Sequence, residues 1–409
     1  MTGRRWFYPL VLALPFLAVA AALQGLTVEL QTFHGSDARS YHLPTIQQFA
    51  DALPTPDLVH YPAAQAPLFH LLFAVYGKVV GFDLWKLQAL SVVISYLAVL
   101  ALFHLLTDRL GLQRRKALAL TLLFALSPYF FGASFILLTD NLAILFALVA
   151  VILFHRSGEE GSMRLFALGC LATALALLTR QAFVWLLPLG LFYAPRKLTG
   201  LALLAAATAP LGALVVAWGG LVPKGSDPTS CGLCPGSGDH LLGRALGFTF
   251  AVFAVYAVAV LGPSAWRQLR PLLAPAGVAL ALALAVALLI AFPLEFSPPG
   301  PGVPGDAGHL WRASEKVPLL FWVLVPLGAV SAYALGRRAG PRSLAVVFGL
   351  SFLLSVLPVR LVYQKYFDPF ALLAVLMFVR RDDLERRWQW VGVAALALAF
   401  VAYALSFEV

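Results

Sequence analysis

Residues 66–80 read APLFHLLFAVYGKVV, and the topology of the whole chain turns on this stretch. It is apolar enough to cross a membrane. If it crosses, the basic stretch DRLGLQRRK at 108–116 falls outside, and every later loop breaks the rule that Lys and Arg collect in cytoplasmic loops. If it lies flat as an interfacial helix, all the basic loops stay on one side. Residues 66–80 are therefore predicted to rest on the external face.

The surrounding chain sets the same context. It has 409 residues, 61% of them hydrophobic and only 12% charged, with mean hydropathy +0.86. A soluble domain carries about 25% charged residues. Apolar runs of about 20 residues, the length that spans a bilayer as helix, recur along the sequence. They are unbroken and rich in Leu and Ala, without the alternation of a barrel wall. The fold class expected is all-α, a polytopic membrane protein. The run WFYPLVLALPFLAVAAALQGL, 6–26, is longer than a usual signal-peptide core and lacks a small-x-small exit site, so it is read as a retained first helix.

The net charge of +10 comes from short gaps between apolar runs: GRR (3–5), DRLGLQRRK (108–116), PRK (195–197), WRQLR (266–270), GRRAGPR (336–342) and RRDDLERR (380–387). That distribution marks cytoplasmic loops, not a nucleic-acid surface. With residues 27–84 external, thirteen spans follow, near 6–26, 85–106, 116–134, 140–155, 164–178, 182–194, 199–219, 244–262, 273–292, 317–335, 342–358, 366–378 and 389–407. The chain reads as one transmembrane domain, 1–409. Its external segments include 27–84, 220–243 and 293–316; the inner face has only short basic loops. No internal repeat of the secondary-transporter kind and no Walker A sequence is present.

The polar chemistry collects on the outer face. FHGSDARSYHLPTIQQFADALP, 33–54, carries Asp37, Arg39 and His42, and HYPAAQAPLF follows with His60 and Pro67. One Asp in a loop is usually just solvated, but long loops tend to be functional. Asp140 and Asn141 stand at a helix entrance in FILLTDNLAILF, where Asp140 reads equally as a helix cap or a substrate contact. Arg180 and Gln181 interrupt ALALLTRQAFVWLLPL. A charge that deep faces a cavity or a partner, or else snorkels to the membrane border. GDAGHLWRASEK, 305–316, offers Asp306, His309, Arg312 and Lys316; RLVYQKYFDP offers Arg360, Lys365 and Asp368. Each cation alone could anchor a membrane border. Together, outside, they ask for an anionic partner, and phosphate on a lipid carrier is the natural one. The pair Cys231 and Cys234 reads as a short-loop disulfide or free thiols rather than a zinc site.

These pieces resemble the GT-C class of integral-membrane glycosyltransferases, which use polyprenyl-phosphate sugars and carry an Asp early in the first external loop with interfacial helices after it. Asp37 and 66–80 match that arrangement. The chain is most similar to the family of alpha-1,2-glucosyltransferases that add the last glucose to the dolichol-linked N-glycan precursor. Asp37-Ala38 stands at its Asp-Glu pair, with His42 near its following His. HYPAAQAPLF sits at its Pro-rich turn, Thr139-Asp140 at its Tyr-Thr-Asp, and Arg180-Gln181 at its Arg-Gln-Thr-Asn-Ile. GDAGHLWRASEK resembles its late segment through Asp306 and His309, and QKYFDP its closing motif, with Lys365 in place of Arg. The matches are collinear from 36 to 369. Ala38 replaces the Glu, and Ala307-Gly308 replaces an Asn-Arg.

The resemblance implies an inverting hexosyltransferase with a glucose-like donor sugar and a lipid-linked or cell-envelope glycan acceptor. Asp37 is the expected general base. Arg180, Arg312, Arg360 and Lys365 are expected on the donor phosphate, and His42, Asp140, Gln181, Asp306 and His309 on substrate. No metal and no cofactor is expected. The Gly/Ala/Leu/Arg-rich composition suits a prokaryotic plasma membrane. The rival reading is a transporter or flippase of lipid-linked sugars, which should expose a path to both faces; the inner halves of the segments hold almost no charge.

Overall fold

Long runs of Leu, Ala, Val and Phe offer the backbone no polar side chains, so in lipid the chain must satisfy its N–H and C=O groups by itself, as helix. The structure is a computed structural model and describes residues 6–22, 33–226, 242–269, 271, 273–294, 308–357, 359 and 362–406. Among them every regular element is helical. The residues group into two compact units, 1–231 with 400–409, and 232–399.

The first unit opens with α1 (Phe7–Ala22). The first loop then carries α2 (Phe33–Asp37), a π-helical turn over Ala38–His42, α3 (Leu43–Ala52) and α4 (Leu68–Val80). A long α5 (Leu84–His104) follows, then α6 (Arg114–Ala125), α7 (Pro128–Ser134), α8 (Asp140–Glu160), α9 (Met163–Thr179), α10 (Leu186–Tyr193) and α11 (Lys197–Trp218). The second unit holds α12 (Leu242–Leu269), α13 (Pro275–Ala291), α14 (His309–Lys316), α15 (Leu320–Ala339), α16 (Leu344–Val356), α17 (Gln364–Phe378) and most of α18 (Val391–Ser406).

Each of the thirteen predicted spans coincides with a helix or a helix pair. Among the described residues five helices are long and apolar enough to cross a membrane by themselves: Leu84–Arg109, Asp140–Glu160, Lys197–Trp218, Gly243–Gly262 and Leu320–Ala339. A sixth counts if the bent pair Arg114–Ala125 and Pro128–Ser134 is one span. The other predicted spans, α17 apart, are shorter apolar helices.

The bent pair departs from the single helix expected over 116–134. Its axes differ by 73°. Pro128 forces the preceding residue out of the helical region, and Ser127 accordingly sits at φ −61°, ψ 137°. The short α7 is tied down by Asn141 of α8. Its Nδ2 lies 3.0 Å from the Phe130 carbonyl, 3.1 Å from Ser134 Oγ and 2.8 Å from Ser95 Oγ on α5.

In the first unit α8 lies against α5, α9 and α10. Phe154 of α8 is fully buried between Gly169 of α9 and Gly190 of α10. A Cβ at either glycine would stand 2.7–2.8 Å from its ring. Small residues let helices approach closely where lipid supplies no hydrophobic drive. In the second unit α12 packs along α15 and α17, and Gly328 brings α15 onto the Phe250 carbonyl of α12.

The segment 66–80 forms α4, a helix of 13 residues. At 1.5 Å per residue it covers about 20 Å, short of the roughly 30 Å hydrocarbon core. One face, with Phe69, His70, Phe73, Ala74 and Gly77, is buried, and α3 packs against α4. Leu72, Val75, Lys78 and Val79 face outward.

Candidate functional site

Asp37 closes α2, and the five residues after it form the π-helical turn, whose final bond runs from the Leu43 N–H to the Ala38 carbonyl. Such turns occur mostly as single insertions inside α-helices, often at functional sites. Here the turn separates three side chains by depth. Asp37 is half-buried, Arg39 is exposed and His42 is buried.

His42 Nδ1 lies 2.9 Å from His70 Nε2 of α4, with the rings stacked at 5.2 Å. His70 is fully buried among the rings of Phe49, Tyr61 and Phe69. Burial, and after it the neighbouring His42, hold His70 well below the ordinary imidazole range, so its ring is neutral. His42, expected on substrate, thus gives one ring nitrogen to the protein. Its partner His70 did not stand out in the sequence: a His inside an apolar helix reads as packing.

The next cluster sits where α9 ends. Arg180 leaves the helix in extended conformation and a 3₁₀ turn follows over Gln181–Trp185. Arg180 Nη1 pairs with Asp140 Oδ1 on the first turn of α8. Both side chains are mostly buried, 12% and 23% exposed, so water screens the pair little. Asp140 is the first residue of α8 rather than its cap; Thr139 holds that place.

Gln181 binds backbone only. Its Oε1 accepts from the Ala66 N–H at 3.2 Å, and its Nε2 donates to the carbonyls of Ala64 at 3.0 Å and Leu221 at 2.9 Å. Trp218 Nε1 donates to the Leu58 carbonyl and the Lys224 N–H to Val59, so the loop before α4 is stitched down along its length. Tyr61 Oη donates to the Gln65 carbonyl, and His60 is engaged by Asp57. Four stretches singled out in sequence, DARSYH, HYPAAQAPLF, LLTD and TRQ, therefore meet in the first unit.

The second unit has its own cluster, built on Gln364 at the start of α17. Gln364 Oε1 accepts from the Leu310 N–H at 2.9 Å, while its Nε2 donates to Asp368 Oδ2 at 3.0 Å. Tyr256 Oη donates to the other oxygen of buried Asp368 at 2.6 Å. Trp311 Nε1 donates to the Val362 carbonyl, and the indole stacks on Phe248 at 5.1 Å. These contacts clamp α14 against α17. His309 and Arg312 flank Trp311 in sequence, and Lys365 follows Gln364. Arg312 is exposed, and Lys365 Nζ lies over Tyr366 at 5.4 Å. Burial and the nearby Arg312 lower the His309 pKa. Sequence reading missed Arg244, buried at the entrance of α12 with its guanidinium 5.6 Å over Trp311. The signal was there: one charge in the apolar run HLLGRALGF.

Asp306, Arg360, Cys231 and Cys234 lie outside the described residues. Among the described residues no three His, Cys, Asp or Glu side chains gather as for a metal ion.

Residues 64–218 match the family model described as dolichyl-phosphate-mannose-protein mannosyltransferase. The matched stretch runs from the Pro-rich turn through α11 and holds Asp140, Arg180 and Gln181. It supports a membrane glycosyltransferase of the GT-C type that draws on a polyprenyl-phosphate sugar. Neither a curated protein nor a solved structure gives a match to the chain.

Proposed function

We propose that this protein transfers a hexose from a polyprenyl-phosphate sugar to a glycan acceptor, lipid-linked or of the cell envelope, with inversion at the anomeric carbon. The observation that carries the reading is the meeting of four collinear motifs in the first unit. The Asp140–Arg180 pair and Gln181 come together beside the loop that leads into α4, and α4 holds the turn next to Asp37.

In the proposed step the acceptor hydroxyl oxygen attacks the anomeric carbon. The bond from that carbon to the phosphate oxygen breaks, and the lipid phosphate leaves with the electron pair. Asp37 takes the hydroxyl proton; a positioned base contributes about 10²–10⁴-fold. Charge grows on the leaving phosphate, and cations already in place stabilise it without reorganising. The cations proposed for this role are Arg180, Arg312, Arg360 and Lys365. With this cover the leaving group needs no metal. Asp140 orients Arg180, and Asp306 and His309 contact the sugar. The Gly/Ala/Leu/Arg-rich composition argues for a prokaryotic plasma membrane, and the placement of basic loops for a reaction on the external face. The donor to try first is the mannosyl one, since mannose is the sugar in the matching family's description; glucose follows from the collinear motifs.

The test is donor consumption in proteoliposomes. Labelled polyprenyl-phosphate mannose, glucose and arabinose are supplied with a membrane lipid extract as acceptor source. The expected result is that wild type consumes one donor and Asp37→Asn, folded to the same melting temperature, consumes it about 10²–10⁴ times more slowly. Equal consumption by both proteins removes Asp37 from the chemistry. Labelled lipid crossing the bilayer with no sugar transferred would make the protein a carrier.

A further inference from the structure

Two buried imidazoles touching inside an apolar cluster call for an explanation. His42 and His70 each cost desolvation, and burying polar rings is tolerated only when they are hydrogen-bonded. Aromatic or aliphatic side chains would pack this spot without that cost. What the pair supplies that packing cannot is direction.

The Ala66 carbonyl lies beside the His70 ring. His70 Nδ1 makes no hydrogen bond. His42 Nδ1 stands 2.9 Å from His70 Nε2, so one ring donates and the other accepts. That bond fixes the ring of His42, the last residue of the π-helical turn. At the far end, the N–H of the same Ala66 is held by Gln181, whose neighbour Arg180 pairs with Asp140. A continuous series of contacts thus runs from the Asp140–Arg180 pair through Gln181, the Ala66 residue, His70 and His42 to the turn beside Asp37.

The geometry points to His70 as a positioning residue, which holds the π-helical turn at one height and so aims Asp37. This deepens the proposed function and rests on its assignment of Asp37 as the base. The substrate does not meet His70, which is fully buried. Its effect is on where the carboxylate stands. A misplacement of about 1 Å at a reacting group costs on the order of 100-fold.

The experiment uses the full chain in nanodiscs and three variants. His70→Phe keeps an aromatic ring and removes the nitrogen that bonds His42. His70→Gln restores a hydrogen-bonding amide near the place of Nε2. His42→Phe breaks the same bond from the other side and stands in should His70→Phe not fold. Two readouts are taken: turnover of the donor that wild type consumes, and amide hydrogen exchange across residues 38–43. The expected result for His70→Phe is a fall in kcat of about 10- to 100-fold with donor KM within about 2-fold, and faster exchange across the turn. His70→Gln should recover both. Unchanged kcat and unchanged exchange in His70→Phe overturn the inference. So does a well-folded His70→Gln that recovers neither. If wild type transfers no sugar, the sugar-transfer reading fails separately, and exchange decides: protection across 38–43 unchanged in His70→Phe overturns the holding role, and its loss upholds it.

Discussion

Replacing Gln181 with Leu separates two jobs that the sequence alone could not tell apart. Leu matches the volume and removes all three side-chain bonds. Each bond contributes about 1 kcal/mol net, so the loss starts near 3 kcal/mol. It grows because Ala66 is fully buried and its N–H would lose the acceptor it has. An unsatisfied buried donor costs about 1–3 kcal/mol rather than the net value of a bond. The expected destabilisation is about 3–5 kcal/mol, in the range of disrupted buried networks. Gln181→Glu should cost as much, because one carboxylate oxygen would face the carbonyls of Ala64 and Leu221. The assay is denaturant unfolding in mixed micelles, with limited proteolysis of 55–66 as the local probe. The loop should become cleavable in both variants. A Gln181→Leu protein that unfolds like wild type, keeps the loop protected and merely loses sugar transfer would refute the reasoning and make Gln181 a substrate contact.

Two other perturbations read different contacts. Asp140→Asn and Arg180→Gln should each destabilise by about 3 kcal/mol, since each leaves a mostly buried partner without its counter-charge. The double variant should recover about 1–3 kcal/mol of the sum; strict additivity in that cycle would mean the two side chains do not interact. His70 gives a pH signature. Unfolded, its ring takes a proton near pH 6.5; folded, it resists protonation until well below that. The stability it leaves intact at neutral pH should fall as pH drops through about 6.5, by about 1.4 kcal/mol per pH unit. Unfolding measured between about pH 7 and pH 5 should lose that share of its slope in His70→Phe, and an equal slope in both proteins would sink the assignment.

The helices were legible because lipid imposes one solution on apolar runs, and the places of the predicted spans follow from run length read together with the basic gaps. The kink at Ser127-Pro128 was equally readable in principle, since the residue before a proline avoids helix, but the apolar pattern runs straight across it. The polar corners were legible by cost: Asp140, Arg180 and Gln181 stand out because charge and amide are rare in such a context. What they do there was not. An Arg that pairs inside the protein and one that awaits phosphate have the same sequence signature, and Gln181 reads as a ligand contact until its three backbone partners are seen. His70 escaped because its significance lies in a partner far along the chain, His42. Length of the chain between partners carries no local mark.

Asn141 has a consequence for how the protein is made. Alone, α7 spans about 10 Å, too little to sit across a bilayer. Its Phe130 carbonyl and Ser134 hydroxyl are engaged by a side chain that is still inside the ribosome when α7 emerges. The α6–α7 pair therefore cannot reach its final seat as it leaves the translocon. It must wait for residue 141, and then settle together with α8 against Ser95 of α5. Integration of this region is thus a joint event of several helices rather than one helix after another.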